Sequence, residues 1–352
     1  MLNKKINISR DFNLLEKVII VDGQGGCGKT LMTTVIASLK RVELFNFLPE
    51  IENICILENF KKISKDASET MIKTQMDLCL YELMMSRRTN FRYSDLSSVF
   101  KNVNYYKYLK RLFQKGDEVV PQRIMDEKPI LHYAAHNLLG YSDPIFRSLE
   151  NKLVFIEVVR HPLYMVIQNM INHINVLRNA GEAKYFRVSI KDKNGQLPYQ
   201  AAGNESLFRK LNPAERSIYD IQLFTSKTEN FKKNLSSKYK KLLKTIPFEH
   251  FVLKPHKYIE DINYLLKTSS SKHTEKVMKK QRVPRNKISD GIPLQIYKRF
   301  GWEPGEKDLN ERQELNKRRD YMIKQGISKK YLKILDKLSE DYESLYLNGI
   351  FK

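Results

Sequence analysis

Residues Gly23 to Thr30 read Gly-Gln-Gly-Gly-Cys-Gly-Lys-Thr, a complete G-x-x-x-x-G-K-T pattern. Glycines at Gly23, Gly25, Gly26 and Gly28 let backbone N–H groups converge on phosphate oxygens. Lys29 adds a full positive charge, and Thr30 adds a hydroxyl that an ATP-dependent enzyme would use to hold Mg²⁺. Cys27 lies inside the turn. A thiol at a helix N-terminus is open to a lowered pKa, and it is equally a small side chain that fits the turn. The chemistry on offer is recognition of a phosphate-bearing group.

Elements on both sides must hold that turn. The β-branched run Val18-Ile-Ile-Val21 predicts a buried strand, and Leu31 to Lys40 has apolar residues at helical spacing without Gly or Pro. Further strands are expected at Ile54–Leu57, at Pro129–Tyr133 and at Lys152–Val159. Helical texture fills Ser68–Phe113, closed by Gly116 and Pro121, and returns at Pro213–Lys244. Phe248–Leu253 reads as the last core strand. The alternation predicts a three-layer α/β fold, a central and mainly parallel sheet with helices on both faces. The expected organisation is one elaborated domain over 1–352. Residues 181–203 form a loop or small hairpin placed as a substrate lid, and 310–352 form a helical C-terminal segment.

The chain has 352 residues, 41% hydrophobic content and a formal net charge of +22, with many lysines between Lys227 and Lys352. Nucleic acid, an anionic glycan, a phospholipid surface or a polyanionic nucleotide would each satisfy that charge, as would a lysine-rich solvated surface. No helix-turn-helix, zinc-finger or RNP signature supports a nucleic-acid binder, even with Tyr239, Tyr258 and Tyr264 among the lysines. Three cysteines, Cys27, Cys55 and Cys79, show no C-x-x-C spacing, which argues against a disulfide framework and against a structural metal site. Met1–Lys17 is polar and charged, like neither a signal peptide nor a membrane span, so a soluble cytoplasmic protein is expected.

Three segments together resemble the P-loop sulfotransferase family: the glycine turn, Ile130-Leu-His-Tyr-Ala-Ala-His136, and Val154-Phe-Ile-Glu-Val-Val-Arg-His-Pro-Leu-Tyr-Met-Val-Ile-Gln-Asn169. The resemblance implies transfer of a sulfuryl group from 3′-phosphoadenosine 5′-phosphosulfate to a hydroxyl or amine, with a glycan as acceptor, and the net charge favours an anionic one. It implies that Arg160, before Pro162, grips the donor's 3′-phosphate together with position 168, which is Gln168 where the family has Ser. A guanidinium at a strand's carboxyl end suits bidentate phosphate contact. It also implies that His136, 24 residues before Arg160, is the base, with His132 as competitor and Glu157 as a weaker candidate. The segment Lys279-Lys-Gln-Arg-Val-Pro-Arg285 is similar to the basic stretch that closes over the nucleotide, through Arg282 and Arg285.

The glycine turn departs from the family, whose loops usually end Ser-Gly-Thr-Thr after a basic residue; here Gly26, Cys27, Gly28, Lys29 and Thr30 stand in those places. Lys29 therefore sits where a kinase has its lysine, and an ATP-dependent kinase or NTPase using Mg²⁺ is the alternative. That reading needs a carboxylate at a strand end, whereas the apolar runs lead to Glu58 and Glu157 rather than to the usual Asp.

Overall fold

The computed structural model describes residues 6–95, 97–176, 185–288, 301–302 and 309–348. Its first half runs β1 (Lys17–Asp22), α1 (Lys29–Ile36), α2 (Pro49–Asn59), α3 (Lys65–Met84), α4 (Tyr105–Arg111), α5 (Val120–Glu127), β2 (Ile130–Ala134), α6 (Asp143–Leu149) and β3 (Leu153–Val159). There follow α7 (Pro162–Val176), β4 (Ser189–Asp192), β5 (Gly195–Pro198), α8 (Glu205–Lys210), α9 (Pro213–Asn234), α10 (Ser237–Lys240), β6 (Leu243–Pro247), α11 (Phe248–Leu253), α12 (Pro255–Leu266) and α13 (Thr274–Lys280). Two helices, Glu311–Lys324 and Lys329–Tyr346, come last.

The sheet order is β2-β1-β3-β6 and every pairing in it is parallel. Central β1 is covered on both faces. Val18 and Ile20 join a core with Ile51, Ile54 and Cys55 of α2 and Ile72 and Met76 of α3. Ile19 and Val21 join the opposite core with Met32 and Val35 of α1 and Val166 and Met170 of α7. All four β1 side chains are fully buried, each stabilising the fold by roughly 1.5–3 kcal/mol. Burial on both faces is why the strand reads as an unbroken apolar run. The fold is therefore α/β, with helices packed on both faces of a parallel sheet. The chain leaves β1 for a neighbour on one side and later enters β3 on the other, so the carboxyl ends of β1 and β3 border the crevice where ligands of such sheets collect.

Two expected strands are helices. Ile54–Leu57 lies within α2, where Pro49 opens the helix, Glu50 and Glu52 occupy its first turn, and Ile51, Ile54 and Cys55 are buried at helical spacing. Phe248–Leu253 is α11, burying Phe248, Phe251 and Val252 at the same spacing. The strand lies just before it, at Leu243–Pro247, half-buried at the sheet edge and hence without a continuous apolar run. The Pro213–Lys244 helix ends at Asn234, after starting with an Asn212–Glu215 capping box. Helix α3 likewise stops at Met84, and Ser86 beyond it has φ of 59°, so Ser68–Phe113 is only partly helical.

The 181–203 region holds an antiparallel hairpin of β4 and β5. Its residues 181–184, and residues 349–352 of the C-terminal segment, lie outside the described residues. Among the described residues no helix is long and apolar enough to cross a membrane.

Candidate active site

The turn after β1 commits its carbonyl groups to the protein. Gly23 O accepts Lys29 Nζ at 2.9 Å and the Asn137 N–H at 3.3 Å, and Gln24 O accepts the Cys27 N–H. Gly25 O accepts Asn169 Nδ2 at 3.2 Å, and Gly26 O accepts Arg160 Nη1 at 2.9 Å. Each bond pins a peptide plane with its oxygen toward protein. Among the described residues no protein acceptor meets the N–H groups of Gly26, Gly28 or Thr30. With the start of α1 behind them, these donors form an anion cradle. Gly28 has φ of 92°, and a Cβ there would lie 2.2 Å from the Phe248 ring, so only glycine fits. Cys27 is fully buried and burial raises its pKa, so it acts as a small packed thiol and not as a reactive one.

Phe248 organises the cationic side. The Arg160 guanidinium lies 4.3 Å from its ring and 4.6 Å from that of Tyr164, and Arg285 lies 5.5 Å from it. Buried Arg160 Nε meets no partner. Arg285 is anchored by its N–H to Val252 O and by Nη1 to Ile288 O, while Arg282, in left-handed backbone, offers its carbonyl to Arg285 Nε. On α7, the Gln168 Cβ lies 3.0 Å from where a Gly26 Cβ would be, but the amide donates to Asn172 Oδ1. Arg160, Arg285 and Gln168 are thus brought to the loop, and Arg282 shapes the turn that carries Arg285.

On the other side, Asp22 Oδ2 accepts the N–H groups of Leu138 and Leu139, tying the segment after His136 to β1. Burial raises the Asp22 pKa against the opposing pull of Lys29. His136 N and Nδ1 lie 2.9 and 3.1 Å from Glu52 Oε1, and Glu52 Oε2 is 2.8 Å from Arg187. This assigns the Nδ1 proton to the contact with Glu52 and leaves Nε2 as a lone pair. Burial, then the Lys29 charge, push the His136 pKa down to about 4, so the ring is neutral near pH 7. Burial would raise Glu52, but Arg187 and the His136 hydrogen bond outweigh it and hold the carboxyl below its ordinary value. Neither Glu52 nor Arg187 was visible as a site residue in the sequence: Glu52 lies just before Ile54–Leu57, the stretch read as a strand, and in the first turn of the helix that replaces it. The helical spacing of Ile51, Ile54 and Cys55 was the signal that could have placed it.

A cavity of about 410 Å³ opens between these groups, lined by Gly25, His136, Asn137, Asn169 and, from the hairpin, Ser189 and Gln196. The inserted hairpin thus walls the space that the loop and His136 share. A second cavity, about 260 Å³, lies where β1 and β3 end, with Asp22, Glu157, Glu229 and Asp341 in its walls. Arg160 lines it too, one guanidinium among those four carboxyl groups.

The other candidates are accounted for by structure. His132 is fully buried in β2, its ring nitrogens meet no partner, and burial pushes its pKa down to about 3. Glu157 accepts from Lys232 at 3.1 Å and from Thr245 Oγ1 at 2.6 Å, and burial raises its pKa. Glu58 is on a helix, paired with Arg147. Thr30 is exposed at the start of α1. Glu52 and Glu157 are committed to protein donors, while Asp22 accepts two N–H groups through Oδ2 and keeps a buried Oδ1 without a partner. Among the described residues no three acidic, His or Cys side chains group as metal ligands.

No family model and no curated protein matches this sequence. Solved structures to which the chain is similar include the sulfotransferase domain of the Synechococcus PCC 7002 olefin synthase, at 10% identity and TM-score 0.40, covering 85% of this chain and 99% of that one. The sulfotransferase domain from the curacin biosynthetic pathway is 12% identical at TM-score 0.40, with coverage of 88% and 98%. A Mycobacterium avium sulfotransferase is 10% identical at TM-score 0.40, with coverage of 96% and 78%.

Proposed function

We propose that this chain is an enzyme transferring a sulfuryl group from 3′-phosphoadenosine 5′-phosphosulfate to an acceptor hydroxyl, with a glycan as the acceptor class. The observation that carries the reading is one cavity wall that sets Gly25, within the glycine loop, beside a neutral, carboxylate-oriented histidine. The residues fit such a donor: the loop N–H groups, Lys29 and Thr30 would hold its 5′-phosphate side. Arg160, Gln168, Arg285 and Arg282 would serve the 3′-phosphate. When bound, the donor supplies an electrophilic sulfur whose bond to the bridging phosphate oxygen breaks as the bond to the acceptor oxygen forms.

His136 Nε2 takes the hydroxyl proton, and Glu52 stabilises the imidazolium that results. Lys29, released from Gly23 O, neutralises charge developing on the departing phosphate oxygen. The Gly-Lys-Thr sequence keeps ATP-dependent phosphoryl transfer as the second reading. Calorimetric titration separates the two. Tight, metal-independent binding of 3′-phosphoadenosine 5′-phosphate is expected, whereas ATP binding only with Mg²⁺ would replace this proposal with a kinase or NTPase.

A further inference from the structure

Two buried acceptor oxygens in the lining of the 410 Å³ cavity meet no partner. Asp220 is 8% exposed; its Oδ2 receives His173 Nε2 at 2.9 Å and Gln200 Nε2 at 3.3 Å, while its Oδ1 is buried with no partner. Asn137 Oδ1 is also buried with no partner, on a residue that lines both this cavity and the 260 Å³ one. A buried acceptor without a donor is costly, so the cavity favours an occupant that brings O–H groups. The guanidinium in this wall, Arg187, is already paired with Glu52 at 2.8 Å, and the His173 ring is hydrogen-bonded to Asp220. A sulfate or carboxylate entering here would face a carboxylate oxygen and find no uncommitted cation among the described lining residues.

The remaining wall is aromatic. Phe47 stacks on His136 with 5.2 Å between ring centres, Tyr185 is half-buried, and Phe186 stands 72% exposed at the rim. Apolar ring faces beside convergent acceptor oxygens suit a molecule with C–H faces and hydroxyl edges. We infer that the cavity binds a neutral, hydroxyl-rich carbohydrate, with Asp220 and Asn137 as its hydroxyl-recognising residues and Phe186 as a stacking platform. The anionic glycan suggested by the net charge does not fit these walls. That this sugar is the sulfuryl acceptor rests on the function proposed above; that the cavity binds it does not.

The test is saturation-transfer NMR on the full chain without donor, using lactose, sulfated lactose and glucosamine as probes, with a parallel titration of 3′-phosphoadenosine 5′-phosphate. Lactose is expected to bind at least tenfold more tightly than the sulfated form. Asp220→Asn should weaken lactose at least tenfold. Phe186→Ala, at an exposed position that does not threaten folding, should weaken it severalfold, with bisphosphate affinity unchanged in both variants. Equal or tighter binding of the sulfated sugar, preference for the ammonium-bearing glucosamine, no lactose binding, or Phe186→Ala and Asp220→Asn both without effect would overturn the inference. Lactose binding without bisphosphate binding would uphold the cavity assignment and remove the sulfuryl-transfer reading instead.

Discussion

In the proposed transfer Lys29 and His136 serve one reaction but are held in opposite ways. Lys29 is folded onto its own loop, and its Nζ bond to Gly23 O is a neutral-acceptor contact that an incoming phosphate can replace. Lys29→Ala should therefore weaken the bisphosphate roughly 10- to 100-fold, the scale of one charge-assisted hydrogen bond; Arg160→Ala should act similarly in the same titration, and unchanged affinity in both would remove the site. His136 needs no such release. Its Nδ1 contact with Glu52 and its lowered pKa leave it ready to accept a proton. His136→Ala should lower kcat by roughly 10²–10⁴-fold with donor affinity retained. The sign of the pH effect is fixed by the neutral ring being the active form: kcat/KM should fall as pH drops through about 4, well below the ordinary histidine range. A donor anion beside Lys29 offsets the charge that helps lower this pKa. The acid limb of kcat should accordingly lie at higher pH than that of kcat/KM, a difference read directly from initial-rate profiles.

The sheet carries its own acid sensitivity. His132 is buried in β2 against the Phe45 ring, with no hydrogen-bond partner at its ring nitrogens, and has a pKa of about 3 in the fold, so between about 3 and 6.5 the unfolded chain binds a proton that the folded chain does not. Stability falls with pH across that window, and going from pH 7 to 4.5 should cost roughly 2–3 kcal/mol from this residue alone. His132→Leu should flatten the drop in urea midpoint between those two pH values; an unaltered drop would show that the ring titrates freely. The strands β1, β2 and β3 were legible because burial on both faces leaves unbroken apolar runs, and the glycine turn because its spacing is dictated by backbone geometry. Strand β6 was misplaced because an edge strand buries only part of its surface, and α2 because four consecutive apolar residues fit either period. The pairs His136–Glu52 and Glu52–Arg187 join residues 84 and 135 positions apart, a proximity that only the folded topology supplies.

Across the whole molecule the +22 charge and the acceptor-side cavity pull apart. The net charge of the chain is large, yet the described cavity wall pairs Arg187 with Glu52 and leaves Asp220 Oδ1 and Asn137 Oδ1 without donors. The two halves of the reaction should therefore respond differently to salt. Donor binding joins a polyanion to a basic protein and to the exposed start of α1, so it gains from long-range attraction that salt screens over roughly 10 Å at 0.1 M. Acceptor binding, if the sugar is neutral, rests on hydrogen bonds and ring contacts that salt leaves nearly unchanged. Raising NaCl from about 50 to about 500 mM should weaken the bisphosphate by roughly an order of magnitude or more, while the KM for a neutral acceptor stays within about twofold. A parallel loss of both affinities would mean that the acceptor is charged after all, and that residues beyond the described cavity wall meet it.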